Sequence, residues 1–306
     1  MPRQNNKRDD IRAKIDQELN NPGSRSGKSY RGKRPPQGGP RQSGPAHANP
    51  KKVRPGERPQ MGIMTTTLWE YPSQHYDDHL GRKMQGSKDY AGASPSWAIW
   101  QLLQRYTRKG DTVVDPMCGS GTTLDVCKDL QRKGIGFDLN PQRPEITLAD
   151  AREIPMPDEV ADFVFIDPPY STHIDYSDDE RCIGKLDSGA PMQDDDVMMG
   201  HAYYEAMDQV ISEIDRILKP GSYMGLYVSD SWKKHKGKKS GTFMPIGFEL
   251  FAIMRDYFEP IDIIAVVRHN QKLQRGNWHK AAEEHNFFLR GFNYMFIMKK
   301  PSATRD

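Results

Sequence analysis

From about residue 97 onward, apolar residues fall in short runs separated by glycine, proline and charged turns. Asp111–Asp115, Gly134–Asp138, Ile146–Leu148, Phe163–Ile166, Tyr223–Val228, Ile261–Val267 and Phe292–Met298 read as strands. Phe163-Val164-Phe165-Ile166 is apolar throughout, which predicts a strand buried on both faces. Between these runs lie longer mixed segments that predict helices. One runs from Trp97 to Tyr106 and ends near Lys109-Gly110, with Ser94 as N-cap and Pro95 as first helical residue. A second follows a glycine turn and continues through Lys133; a third is His201–Leu218, closed by Lys219-Pro220-Gly221; a fourth is Pro245–Tyr257. Strands alternating with helices predict a doubly wound α/β fold. Leu139–Glu145 is too short for a crossover helix, so that helix is expected to be missing or reduced to a turn. Met61–Ala93 shows no clear period and is expected to cover one edge of the domain.

The first 60 residues break this pattern. They hold 15 Lys and Arg against 5 Asp and Glu, a net of +10. The remaining 29 basic and 36 acidic residues give −7, so the overall +3 is a basic arm on an acidic body. A mean hydropathy of −0.81 reflects this arm, which has too little apolar surface to offset its ordering entropy. Residues 1–60 are therefore expected to be a disordered basic arm, 61–300 one folded domain and 301–306 a tail. The arm is either a nucleic-acid-seeking segment or a solvated linker. Cys118, Cys127 and Cys182 have no paired metal spacing and suit a reducing cytosol, and no run of 18 apolar residues exists. The basic N-terminus lacks an apolar stretch and does not read as a secretory signal. His75 and His79 stand four apart without a third ligand at a recognisable spacing, so no metal is expected.

Two segments carry candidate chemistry. Asp167-Pro168-Pro169-Tyr170 follows the apolar strand and stops it, because proline cannot donate to the ladder. It fixes a carboxylate and an aromatic ring at the strand end. Asp167 and the Pro168 carbonyl can accept both N–H bonds of an exocyclic base amine, which localises the lone pair; Tyr170 can stack on a base outside its helix. An ordinary strand-to-loop turn with a capping Asp is the bland alternative. The other segment is Asp115-Pro116-Met117-Cys118-Gly119-Ser120-Gly121-Thr122. A phosphate-binding loop needs Lys where Thr122 stands, and a dinucleotide turn needs a third glycine where Leu124 stands. What remains suits the amino-acid part of S-adenosylmethionine, with Asp115 near its cationic groups. Asp138 ends the next strand where ribose hydroxyls would lie. Asp150 could accept an adenine amine or cap a helix. Lys233, Lys234, Lys236 and Lys238 follow Trp232 in an expected loop, and Arg275 and Trp278 lie in an insertion between the last two strands; both suit nucleic-acid contacts, as well as plain solvated surface.

Together these segments resemble the amino-group DNA methyltransferases, over roughly Thr65 to Lys300. Asp115–Thr123 is similar to the family's cofactor motif and Asp167–Tyr170 to its catalytic motif, in the order of one permutation class. The resemblance implies a Rossmann-like sheet of seven strands with the last antiparallel, S-adenosylmethionine as cofactor, and a cytoplasmic enzyme acting on DNA. It implies adenine N6 as the preferred target, since Asp at the head of the catalytic motif goes more often with adenine. N4-cytosine and RNA guanine-N2 transfer are the alternatives, and a non-catalytic DNA-binding protein is the rival of a different class. Cytosine C5 chemistry would need a nucleophilic cysteine, typically after proline, and no Pro-Cys pair occurs. With no large recognition domain evident, a partner such as a restriction endonuclease could supply specificity.

Overall fold

The computed structural model describes residues 62–71, 85–87, 90, 92–169, 176–186, 198–234, 241–268, 273 and 275–302. The backbone forms two units, 1–51 and 52–306, and every described residue belongs to the second. Tyr170, Lys236, Lys238, His75 and His79 lie outside the described residues.

Eight strands form one sheet: β1 (Leu68–Trp69), β2 (Thr112–Asp115), β3 (Lys133–Asp138), β4 (Ile146–Leu148), β5 (Ala161–Ile166), β6 (Leu218–Val228), β9 (Glu259–Val267) and β10 (Phe292–Lys299), in the order β1-β9-β10-β6-β5-β2-β3-β4. The central strands run parallel, and β10 is antiparallel to both β6 and β9. A separate hairpin joins β7 (Ser231–Lys234) to β8 (Gly241–Met244). The helices are α1 (Ser96–Tyr106), α2 (Thr122–Asp129), α3 (Met198–Ile217), α4 (Ile246–Met254) and α5 (Gly276–Glu284).

Alternation along the strands divides the core between the two sheet faces. Val113, Phe163 and Phe165 pack with Ile99, Leu102 and Leu103 of α1 and Val126 of α2. Val114, Val164 and Ile166 pack with Met207, Val210 and Ile211 of α3 and Leu250 of α4. A sheet covered by helices on both faces is why β2 and β5 carry no polar face.

Several expectations need correction. The sheet has eight strands, not seven. The addition, β1, pairs parallel with β9 through Leu68↔Ala265 and Trp69↔Val266. Its anchor is Trp69, buried against Trp97 with ring centroids 6.3 Å apart, a long-range contact that no local period announces. Pro95, not Ser94, is the N-cap of α1, and no side chain caps that helix. α1 ends at Tyr106 rather than near Gly110, where Thr107 donates its backbone N–H and its hydroxyl to the Leu103 carbonyl. α2 ends at Asp129, because Gln131 takes a left-handed backbone (φ 60°) and Lys133 joins β3 by donating to the Asp111 carbonyl. Lys219-Pro220-Gly221 does not end α3; it is the irregular start of β6, where the register with β5 shifts. Lys233 and Lys234 lie on a hairpin strand rather than in a loop. As expected, no helix lies between Asp138 and Ile146. No helix among the described residues is long and apolar enough to cross a membrane.

Candidate functional site

The chain passes from β2 to β3 to β4 in one direction and then places β5 on the other side of β2. The carboxyl ends of β2 and β5 are thus the point where the winding reverses, the usual ligand crevice of such sheets. Asp115 ends β2 and Asp167 follows β5 directly. Both line a cleft of roughly 830 Å³, part of it open to solvent.

The glycine turn forms one wall. Gly119 and Gly121 both take left-handed backbone conformations, with φ 51° and 81°. A Cβ on Gly119 would come within 2.8 Å of the Tyr90 ring, so this position needs glycine for space as well as for backbone angle. Carboxylates hold the turn. Asp115 accepts from the Met117 backbone N–H (3.1 Å) and the Thr123 hydroxyl, and Asp138 accepts from the backbone N–H groups of Gly119 and Asn140 (both 2.8 Å). Two accepted bonds leave each carboxylate further acceptor capacity.

Burial pushes the Asp115 carboxyl up to about 7, against the Thr123 and Met117 bonds that favour its ionised form; the Asp138 charge adds to the rise. Asp167 is pushed up to about 8, again first by burial, with the Ser94 bond opposing, the Asp115 charge adding and the Arg268 charge opposing. The Ser94 hydroxyl donates to Asp167 Oδ2 at 2.6 Å, a charge-assisted length when the carboxylate is ionised. Burial also raises the Asp150 carboxyl, but the hydrogen bonds and charge of Arg152 outweigh this and leave it below its ordinary value. Arg152 grips both Asp150 oxygens through Nε and a terminal nitrogen, at 3.0 and 2.7 Å. Asp150 is therefore not the cap of a helix; a turn follows it. Tyr90 and Cys118 also line the cleft, and burial raises both above their ordinary range.

Of the expected cofactor residues, Asp115, Pro116, Met117, Cys118, Gly119, Thr122, Asp138 and Asp150 line the cleft, whereas Gly121 sits behind it at the N-cap of α2. Asp167 and Pro169 reach the cleft; Pro168 is buried and does not line it. Arg275 and Trp278 do not line it. Sequence reasoning missed Tyr90, Tyr176 and Cys182 in the lining, and it gave Ser94 the wrong task. Tyr90 and Tyr176 come from stretches without period, where no local signal was available. The described lining holds four aspartates and no Lys, Arg or His. Such a wall suits a cationic ligand and disfavours a pyrophosphate.

Comparison with known proteins follows the same line. The N6/N4 family described as "DNA methylase" matches residues 7–149. Over that stretch, just under half of its length, the chain is similar to the amino-group DNA methylases. The match takes in the glycine turn and Asp138 and stops short of Asp167. The type II methyltransferase M.HpaI of Haemophilus parainfluenzae is 30% identical over 97 residues, 32% of this chain and 29% of that protein. M.XycI of Xanthomonas campestris pv. cyanopsidis is 40% identical over 70 residues, 22% of this chain and 23% of that protein. The chain thus spans less than a third of the length of these two relatives. Among solved structures, a SAM-dependent methyltransferase of Methanosarcina mazei shares 14% identity at a TM-score of 0.40, covering 66% of this chain and 98% of that one. Among the described residues, no group of His, Cys, Asp or Glu is arranged to hold a metal ion.

Proposed function

We propose that this protein is a DNA methylase that transfers a methyl group from S-adenosylmethionine to an exocyclic base amine of DNA, preferring adenine N6. The observation that carries the reading is the acidic cleft between β2 and β5, where the glycine turn and Asp167 face one space. The residues fit the cofactor on two grounds. The glycine turn lines the cleft with Gly119 packed close beside Tyr90, so the turn presents its backbone to a ligand there. The lining is anionic, and S-adenosylmethionine carries both a sulfonium and an ammonium group. Asp115 faces those charges, and Asp138 takes the ribose hydroxyls with its spare acceptor capacity. Asp150 borders the adenine end, its orientation locked by Arg152.

When bound, the cofactor supplies an electrophilic methyl group on sulfur. The chain's part is to present the nucleophile. Ser94 holds Asp167 by one oxygen, leaving the other for an amine N–H. The second N–H is assigned to the Pro168 carbonyl, which would have to turn toward the cleft because Pro168 does not line it, and stacking on the flipped base to Tyr170. The amine proton given up on methyl transfer would leave to solvent through the open side of the cleft. A carboxylate is a stronger acceptor than the hydroxyl found in cytosine-type relatives of the resemblance, which is the partial physical reason for preferring adenine.

Calorimetry and turnover assays on two variants test this division of labour. Asp138→Ala is expected to weaken cofactor binding by roughly 1.5–3 kcal/mol for each charged hydrogen bond lost. Asp167→Ala is expected to bind cofactor almost normally and to lose orders of magnitude in turnover, because positioning and lone-pair localisation go together. Normal cofactor affinity in the first, or normal turnover in the second, contradicts the assignment.

A further inference from the structure

The sheet edge that holds the cleft carries two more elements. β5, β6 and β9 run in the same direction, since β10 is antiparallel to its two neighbours β6 and β9. The hairpin β7–β8 starts three residues after β6 ends, and the insertion bearing α5 starts where β9 ends. Both therefore emerge on the Asp167 edge. Arg268, the first residue after β9, donates to the Ser229 hydroxyl at 3.1 Å, joining the roots of the two elements.

They also meet through aromatic rings. Trp232 and Phe243 are cross-strand partners on the hairpin. Trp232 stacks on Phe287 with centroids 6.0 Å apart, and the Arg290 guanidinium lies 4.6 Å from the centre of the Phe243 ring. Both ring contacts link the hairpin to the insertion, so the two elements form one surface. That surface stays open: Trp232 is 39% exposed, Phe243 42% and Phe288 82%. Rings left this exposed lose hydrophobic stabilisation and mark an interaction surface. The charge that the sequence gives the hairpin names the partner. Ser231 to Thr242 holds five lysines and no acidic residue, within a body whose net charge is −7.

We propose that the β7–β8 hairpin and the α5 insertion together form the surface that grips the DNA strand carrying the target base. Bases beside the target stack on Trp232, Phe243 and Phe288, and cations of the two elements, Arg290 at the Phe243 ring among them, engage the phosphates. Stacking is tolerant of sequence because every base offers a π-face, whereas the lysines add a salt-dependent term. This rests on the proposed DNA substrate.

The test uses the full chain and a fluorescein-labelled oligonucleotide of about 20 nucleotides, read by anisotropy without cofactor. Phe288→Ala and Trp232→Ala are each expected to weaken binding about tenfold or more, the size of one lost base stack. Ile261→Ala, an exposed apolar change at the opposite end of β9, serves as control and is expected to leave affinity unchanged. Thermal melts of each variant separate lost contact from lost fold; Phe288, being the most exposed, is the cleaner site. Unchanged DNA affinity in Phe288→Ala with wild-type methylation overturns the proposal and leaves the enzymatic reading standing. DNA binding that depends on these rings, without any methyl transfer, upholds the surface and sinks the enzymatic reading. Concentration-dependent self-association abolished by Phe288→Ala, with DNA affinity intact, assigns the surface to a second copy and also overturns it.

Discussion

Asp115 and Asp167 sit where their charges are hardest to hold, and this sets a pH dependence. Their folded values of about 7 and about 8 stand above the ordinary carboxylate value of 3.8. Between roughly pH 4 and 8 the folded chain therefore keeps protons that the unfolded chain has released. The stability these two carboxyls contribute to the ligand-free protein is fully present below their unfolded value of about 3.8 and is lost as pH rises through 7 to 8. A melting temperature that climbs over that window would contradict this. A bound cation favours the ionised carboxylates, so cofactor binding should release protons and tighten as pH rises from 6 to 8; calorimetry in buffers of different ionisation enthalpy measures it. Ser94 is proposed to act through Asp167, to which its hydroxyl donates, as a positioning residue. Ser94→Ala should lower kcat about ten- to a hundredfold, the value of one hydrogen bond to a charged group, with little change in cofactor Kd. It should also move the pH profile of kcat upward, since its bond favours the ionised Asp167. Ser94→Thr, which keeps the hydroxyl, should recover most activity. A purely structural Ser94 would leave the pH profile where it was.

Elements differ in how openly the sequence declares them. β5 is apolar at Phe163–Ile166 and was legible because burial on both faces leaves no polar position to confuse the period. The glycine turn was legible because left-handed backbone and close approach both demand glycine. β1 was not, because two residues held by Trp69 against Trp97 and β9 depend on partners far along the chain. Ser94 was misread for a related reason: a local rule made it a helix cap, and a contact across 73 residues gave it to Asp167 instead. The hairpin was hidden by lysines, which read as loop until Trp232 and Phe243 pair across it. Two element-scale outcomes follow. Gly119→Ala should lose roughly 1–3 kcal/mol through the strained left-handed backbone, and more through the Tyr90 clash, with cofactor affinity falling alongside. Trp69→Ala should cost roughly 3–5 kcal/mol in denaturant unfolding, the range for emptying a large aromatic site in a core. A loss below about 1 kcal/mol would show that β1 is dispensable.

At the scale of the whole molecule, charge is divided between a basic arm and an acidic body. The arm is proposed to supply sequence-independent affinity by displacing counterions from DNA. Removal of residues 1–60 should weaken DNA binding and flatten the slope of log affinity against log salt. An unchanged slope would return the arm to the status of a linker. The fold serves the chemistry by bringing the ends of β2 and β5 together at the reversal of winding, so that an acidic cradle and Asp167 share one cleft. The most direct test of that arrangement is mass spectrometry of nucleosides from DNA incubated with the protein and methyl-labelled S-adenosylmethionine, run beside Asp167→Ala. The predicted result is labelled N6-methyladenine from the wild-type chain and almost none from the variant. Labelled N4-methylcytosine would overturn the base preference and keep the mechanism, whereas label in the DNA at equal levels from both proteins would contradict the role given to Asp167 and with it the central account.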